Sequence, residues 1–154
     1  MKLADAVHFA DAVGKVFDTM VGLEVQTDAP KVLSEGSPTA DVTGIVTFAG
    51  DLVGAMILTF PTAVIRDLVK RFADLDCDVK DPDFLDAVGE LANMVAGQAK
   101  SRFEGYDAMI SVPTVVCGPA HHVNRHKSAP WVVVPASCEA GRFVVAMSLQ
   151  GKKH

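Results

Sequence analysis

The chain repeats part of its own sequence, and this repeat limits the folds that are open to it. The segment FADAVG at residues 9–14 matches FLDAVG at 84–89 in five of six positions. Further along each half, AGDLVGAMIL at 49–58 matches AGRFVVAMSL at 140–149 in six of ten positions. Because the two matches occur in the same order, they indicate one unit used twice, and a fold built from it must place each element twice.

Each copy of the unit begins with the pattern of a helix and ends with that of a hairpin. Residues 4–22 carry apolar side chains at three- and four-residue steps, and the helix at 82–104 follows an Asp-Pro pair that suits a cap and first turn. Each copy closes with two apolar strands around a short turn containing Ala and Gly. We therefore predict an α/β fold of the α+β type, a mostly antiparallel sheet with packed helices, built from two pseudo-symmetric helix-plus-strands repeats.

The predicted boundaries place a single domain over residues 1–154. Its parts are repeat 1 at about 4–60, a connector helix at about 61–75 and repeat 2 at about 81–150. Within repeat 2 we predict one strand over residues 108–118 before the closing hairpin. The segment PAHHVNRHKSA that follows has no apolar period and is predicted to be a flexible basic loop.

Composition and charge argue against several classes of protein. A net charge of −5 disfavours a nucleic-acid binder, which needs a basic face to neutralise phosphates. No apolar run reaches the roughly 18 residues of a membrane helix, and the first residues lack the apolar stretch of a signal peptide. Three cysteines without a CxxC pair are typical of reduced, buried thiols. We therefore expect a cytoplasmic protein that binds neither nucleic acid nor membrane.

A line of polar residues marks the helix of repeat 2. At about 100° per residue, Asp86, Glu90, Asn93 and Gly97 fall within roughly 60° of one another. A solvated helix face is the ordinary interpretation of such a line. Glycine inside a helix, however, costs about 1 kcal/mol relative to alanine, which favours a contact at this position. We expect Gly97 to let another backbone approach closely.

A second glycine of this helix and the equivalent helix of repeat 1 bear on the meaning of the polar line. A second helical glycine, Gly89, lies off the line and is predicted to serve helix packing, as its counterpart Gly14 would in repeat 1. Where repeat 2 has Glu90 and Asn93, repeat 1 has Lys15 and Asp18. If the line is a site, the chain therefore has one site and one degenerate counterpart.

The residue types on this line suit the positioning of a water molecule. An Asn side chain does not titrate, but it can hold a water by accepting one hydrogen bond and donating another. In phosphoryl transfer, orienting the attacking water is a large part of catalysis. A neighbouring Glu would then dock a basic group of a partner. The chain has no Gly-rich phosphate loop and no convincing metal-ligand cluster, so a partner would have to supply both phosphate and metal.

The motif D-x3-E-x2-N, formed by Asp86, Glu90 and Asn93 in a duplicated helix-plus-strands chain, resembles the CheC/CheX family of chemotaxis phosphatases. The resemblance implies a CheX-like, single-site protein that dephosphorylates a phosphorylated CheY-like response regulator. It implies that Asn93 orients the attacking water, that Glu90 pairs with a lysine of the regulator, and that Asp86 occupies the motif's first position. It also implies no cofactor of the chain's own, Mg²⁺ held by the regulator, and a homodimer joined through the sheets. The family pattern includes a distal proline; Pro113 is the nearest candidate and is left out of the predicted site.

Two alternatives stay open at this point. A zinc site from Cys117, His121, His122 and His126 has an unusual spacing and no recognisable supporting shell, which favours the loop interpretation. A non-catalytic adaptor of the same family would bind a regulator without hydrolysing its phosphate. Asn93 argues against the adaptor, because a binding-only domain has no need of a carboxamide at that position.

Overall fold

The computed structural model describes residues 2–152 and shows one sheet with helices packed against it. The strands of the described chain are β1 (Gln26–Thr27), β2 (Lys31–Leu33), β3 (Val42–Gly50), β4 (Leu52–Phe60), β5 (Ala108–Ile110), β6 (Thr114–Cys117), β7 (Trp131–Cys138) and β8 (Gly141–Gly151). The helices are α1 (Ala6–Val16), α2 (Thr62–Ala73) and α3 (Pro82–Ser101). A short 3-10 turn precedes α1 and a π-turn, Phe17–Val21, extends it. The predicted fold class is confirmed.

The two halves of the chain exchange their short strands within one sheet. The strand order is β1-β7-β8-β4-β3-β5, with β2 also on β7 and β6 also on β3, and every pairing is antiparallel. The short strands of the first half, β1 and β2, thus pair with the hairpin of the second half. In the same way, β5 and β6 of the second half pair with the hairpin of the first. Each half completes the sheet of the other.

A pseudo-two-fold axis passes through the centre of this sheet. The sequence match between the hairpins makes Met56 the equivalent of Met147. In the ladder between β4 and β8, Met56 lies directly opposite Met147, and both side chains are fully buried. A two-fold axis that is perpendicular to two antiparallel strands and lies between them places a residue directly opposite its own equivalent, and it passes midway between the two. The register therefore agrees with the internal repeat read from the sequence.

Helices cover one face of the sheet, and loops cover much of the other. On the helix side, α3 lies so close to β3 that a Cβ added to Gly44 would be 2.9 Å from the Cβ of Ala92. On the opposite face, a smaller apolar cluster surrounds the fully buried Trp131 and includes Ile57. This second cluster explains why the central strands are apolar on both faces rather than alternating.

Helices α1 and α3 run antiparallel across the helix layer. The ring of Phe103, just after α3, contacts the rings of His8 and Phe9 in α1 at centroid distances of 4.7 and 5.8 Å. The start of one helix therefore packs beside the end of the other, as the pseudo-two-fold axis requires.

Two local predictions are corrected by the structure. The segment predicted as one strand over 108–118 is two short strands on the same edge of β3, because residues 111–113 interrupt the ladder and Pro113 has no N–H to donate to it. The 119–129 segment is anchored to the sheet rather than flexible. His121 contacts Thr43 at 2.6 Å, and the His126 N–H donates to Ser148 Oγ at 2.7 Å. Its conformation is fixed by contacts with distant strands, which a local polar pattern does not reveal.

Candidate functional site

Helix α3 starts where the sequence predicts, because its first turn is capped. The Asp81 side chain accepts a hydrogen bond from the Asp83 N–H at 2.9 Å, and Pro82 occupies the first helical position. From there the helix runs for 20 residues and buries Val88, Leu91 and other apolar side chains against the sheet. The opposite side of the helix is thereby held outward.

The outward side of α3 carries the predicted polar line. Asp86, Glu90 and Asn93 are exposed, while Val88, Leu91, Ala92 and Val95 on the other side are buried as expected. Among residues 2–152, none forms a hydrogen bond or ion pair with the side chains of Asp86, Glu90 or Asn93. Two carboxylates and a carboxamide are thus presented on successive turns with their full hydrogen-bonding capacity available to a partner. Their exposure is as predicted, and their roles stay predictions.

Gly89 determines what lies on one side of the polar line. A Cβ added at Gly89 would be 3.3 Å from Pro113 Cγ and 3.5 Å from a methyl of Val115. The glycine therefore lets the segment that links β5 and β6 pack against α3, which is the packing role predicted for it. Beside Pro113, the side chain of Val112 is 86% exposed, and on β5 that of Met109 is 65% exposed. These two apolar side chains were not predicted as exposed, because their exposure depends on how β5 and the segment that follows it pack on the sheet and on α3.

On the other side of the polar line, a groove separates α3 from α2. It has a volume of about 420 Å³, and its walls include Asp86 and Glu90 from the line itself. Leu75 and Asp83 also line it, and neither was predicted as a site residue. The signal that could have pointed to Asp83 is its position seven residues before Glu90, two helical turns away on nearly the same face.

Gly97 has open space where a side chain would be. A Cβ built there meets no described atom within 4 Å, so packing inside the chain does not explain this glycine. The close approach predicted at Gly97 is not made by any residue between 2 and 152, and an approach by a partner stays a prediction.

The equivalent face of α1 is built differently. Asp11, the counterpart of Asp86, lies 3.8 Å from Arg102 in an ion pair between the helices. A Cβ added at Gly14, the counterpart of Gly89, would meet no described atom within 4 Å, so the helix-packing role predicted for Gly14 is not observed. Past Val16 the helix continues as the π-turn and ends at Gly22 in a left-handed conformation, whereas α3 continues as a regular helix through the equivalent Gly97. Only the second half presents an intact polar line.

The surroundings of the α3 N-terminus are acidic. Partial burial raises the pKa of the Cys77 thiol above its ordinary value, and the carboxylates of Asp81, Asp83 and Asp76 raise it further. This negative potential next to the polar line favours positively charged groups on a partner.

The zinc alternative is not supported by the geometry of the 119–129 loop. His121 uses Nε2 toward Thr43 Oγ1 and Nδ1 toward the Gly118 carbonyl, both at 2.6 Å. His126 Nδ1 accepts a hydrogen bond from the Ser128 N–H at 3.1 Å. No group of three or more His, Cys, Asp or Glu side chains in the described part of the chain is arranged to hold a metal ion. In the same residues, no helix is both long and apolar enough to cross a membrane.

The chain matches a known family over its middle part, from β3 into β7. Residues 42–137 match the family described as chemotaxis phosphatase CheX. The CheY-P phosphatase CheX of Thermotoga maritima is 28% identical over a 112-residue alignment that covers 69% of this chain and 72% of that protein.

Solved structures agree with the sequence comparison. A chemotaxis protein CheX from Desulfovibrio desulfuricans superposes with a TM-score of 0.87 at 28% identity, covering 96% of this chain and 99% of that one. The CheX of Borrelia burgdorferi, crystallised as a complex with CheY, BeF3 and Mg²⁺, has a TM-score of 0.77 at 20% identity, covering 97% and 99%. At that identity the second likeness establishes the fold alone.

Proposed function

The chain belongs to the chemotaxis phosphatase CheX family, and from this premise we propose that it hydrolyses the aspartyl phosphate of a CheY-like response regulator. The observation that carries the proposal is the exposed Asn93 amide, which has no hydrogen-bond partner among residues 2–152 and stands on a rigid helix beside an equally free Glu90. The Thermotoga maritima relative is a CheY-P phosphatase, and the Borrelia burgdorferi protein was crystallised with CheY.

In the proposed reaction, Asn93 binds the attacking water and aligns it with phosphorus. The amide oxygen accepts a hydrogen bond from the water, while the amide N–H donates to the water or to a phosphoryl oxygen. A bond forms between the water oxygen and phosphorus, and the bond from phosphorus to the aspartyl oxygen breaks. The aspartate leaves as a carboxylate, and both protons of the water leave with inorganic phosphate as H2PO4−. The amide takes no proton at any step, so positioning is its whole contribution.

Glu90 would dock the regulator one helical turn away. Its exposed carboxylate forms no ion pair with any cation among residues 2–152, so it is available to a lysine of the partner. Asp86 and Gly97, at the two ends of the line, would complete the contact, with Gly97 giving the partner backbone room to approach. Mg²⁺ would belong to the acidic pocket of the regulator and neutralise charge on the phosphoryl group, and this chain would need no cofactor of its own.

Single-turnover dephosphorylation of CheY-like regulators, phosphorylated with acetyl phosphate and Mg²⁺, tests the proposal. Asn93→Ala should lower kcat at saturating regulator by about 10²–10³-fold, by analogy with loss of one aligned transition-state donor. Glu90→Ala should mainly weaken binding, by about 1–3 kcal/mol. Asp18→Ala, at the repeat 1 counterpart of Asn93, should change neither.

The outcomes separate a phosphatase from an adaptor. Full activity in Asn93→Ala would contradict the catalytic role. Tight binding of a phosphorylated regulator without any release of phosphate by the wild-type protein would favour the adaptor.

A homodimer and a cytoplasmic location are part of the same proposal. Val32 in the edge strand β2 is 54% exposed, so an apolar residue is accessible at one edge of the sheet. Sedimentation velocity across a concentration series would measure whether the chain self-associates and how strongly.

A further inference from the structure

The groove between α2 and α3 combines an apolar floor with an acidic rim. Its floor is formed by Phe72 and Leu75, which are partly buried, and by Ala87, which is 7% exposed. Its rim is formed by three exposed carboxylates from successive turns of α3, those of Asp83, Asp86 and Glu90. Because Asp86 and Glu90 also belong to the polar line, the groove is continuous with the candidate site.

The carboxylates on the rim are not neutralised by neighbouring cations of α2. Arg66 pairs with Asp76 at 3.7 Å, and Arg71 pairs with Asp67 at 2.9 Å on its own helix. No Lys or Arg lines the groove, and the rim side chains make no ion pair or hydrogen bond with any residue the structure describes. An acidic rim above partly buried apolar side chains is complementary to a segment that carries both basic and apolar side chains.

We propose that this groove is a second docking contact for the response regulator and receives a segment of it that bears basic and apolar side chains. The proposal rests on the proposed function and extends it, because it names a surface that selects among regulators without touching the phosphoryl group. Asp83 and Leu75 would then act on affinity, and Asn93 on chemistry.

Distance along the helix supports the regulator as the occupant. From Asn93 to Asp83 there are ten residues, or about 15 Å of helix. A standard protein–protein interface buries about 800 Å² on each partner, equivalent to a disc of about 16 Å radius. An interface that brings a phosphoryl group to Asn93 and a lysine to Glu90 therefore extends over the groove.

The test separates binding from catalysis with a charge-matched control. Asp83→Lys and Asp18→Lys each change the net charge from −5 to −3, since one negative charge becomes one positive charge. The probe is the regulator whose dephosphorylation the wild-type protein accelerates, phosphorylated with acetyl phosphate and Mg²⁺. Asp83→Lys should raise KM by about 10-fold or more, with kcat unchanged, because it places a like charge against the basic segment. Asp18→Lys, on the α1 side, should stay within about 2-fold of wild type in both constants.

Two further measurements complete the design. Leu75→Ser should raise KM by about 3- to 10-fold without a change in kcat, because it removes apolar contact from the groove floor. Increasing ionic strength should reduce the difference in KM between wild type and Asp83→Lys. It should reduce the difference in KM between wild type and Leu75→Ser much less. Thermal melts of each variant confirm that the fold is retained.

The proposal is overturned if Asp83→Lys and Leu75→Ser behave like Asp18→Lys, or if they lower kcat with KM unchanged. It is also overturned if Leu75→Ser alters the sedimentation of the protein alone, because the groove would then hold a second copy of this chain. If the wild-type protein accelerates no regulator's dephosphorylation, the proposed function itself fails, and this outcome is distinct from the others.

Discussion

Helices α1 and α3 occupy equivalent places in the fold, yet the polar side chains on their outward faces differ in their partners. On α1, Asp11 is paired with Arg102. On α3, the equivalent Asp86 is exposed and has no ion-pair partner in residues 2–152. The same residue type at the same repeat position thus forms an ion pair between the helices in one half and is unpaired within residues 2–152 in the other, although both side chains are exposed.

The surroundings of the two helices differ as much as their residues do. Gly89 of α3 is in contact distance of Pro113, whereas a side chain at Gly14 of α1 would meet nothing within 4 Å. Helix α3 also has the α2 groove on its other side. The second half therefore has a polar ridge with a wall on each side, whereas the first half has the same scaffold without the intact polar line.

The largest predicted effect tests whether residue identity alone makes the site. In an Asn93→Ala background, Lys15→Glu with Asp18→Asn places the motif on α1. We expect dephosphorylation to remain about 10²–10³-fold below wild type, because the π-turn begins at Phe17 and moves position 18 off the regular helical line. Single-turnover assays measure this. Recovery to a tenth of wild-type activity would show that the motif needs neither the regular helix nor its walls.

The elements that carry the repeat could be predicted from sequence, because their periodicity is local. The capped start of α3 and the hairpins follow from residues adjacent in the chain, such as Asp81 and Pro82. The outward direction of Glu90 and Asn93 followed from the same periodicity. The short strand β2 was not predicted, because three residues in a turn-rich segment become a strand only by pairing with β7.

The walls of the candidate site could not be predicted for a related reason. The contact between Gly89 and Pro113 joins a helix to a segment more than 20 residues away, and the position of that segment is set by the pairing of β5 and β6 with β3 of the other half. The α2–α3 groove likewise depends on helix packing. Sequence identified which residues point outward, and tertiary structure determined what stands beside them.

The second prediction tests whether close packing on the sheet holds α3 at its observed depth. Gly44→Ala should lower the free energy of unfolding by about 1–2 kcal/mol, since the new Cβ would lie 2.9 Å from that of Ala92 and overpack the contact. In an Ala92→Gly background, Gly44→Ala should lower the free energy of unfolding much less. The interaction energy between the two positions should therefore be at least about 1 kcal/mol. Urea unfolding of the four proteins measures the cycle. Additive effects would show that the two residues do not constrain each other.

The smallest predicted effect compares two glycines that have open space around them. Gly14→Ala and Gly97→Ala should each stabilise the protein by about 0.5–1 kcal/mol, because alanine is the better helix former and the added Cβ meets no described atom within 4 Å. For a chain of this size, 1 kcal/mol corresponds to about 2–4 °C in Tm.

The two variants should then differ in function. Gly14→Ala should leave KM for the phosphorylated regulator unchanged, whereas Gly97→Ala should raise it, because only Gly97 lies on the line that a partner would approach. Thermal unfolding and steady-state dephosphorylation measure the two effects on the same samples. Equal KM values in both variants would mean that Gly97 is not a point of contact, and the docking surface would then end near Asn93.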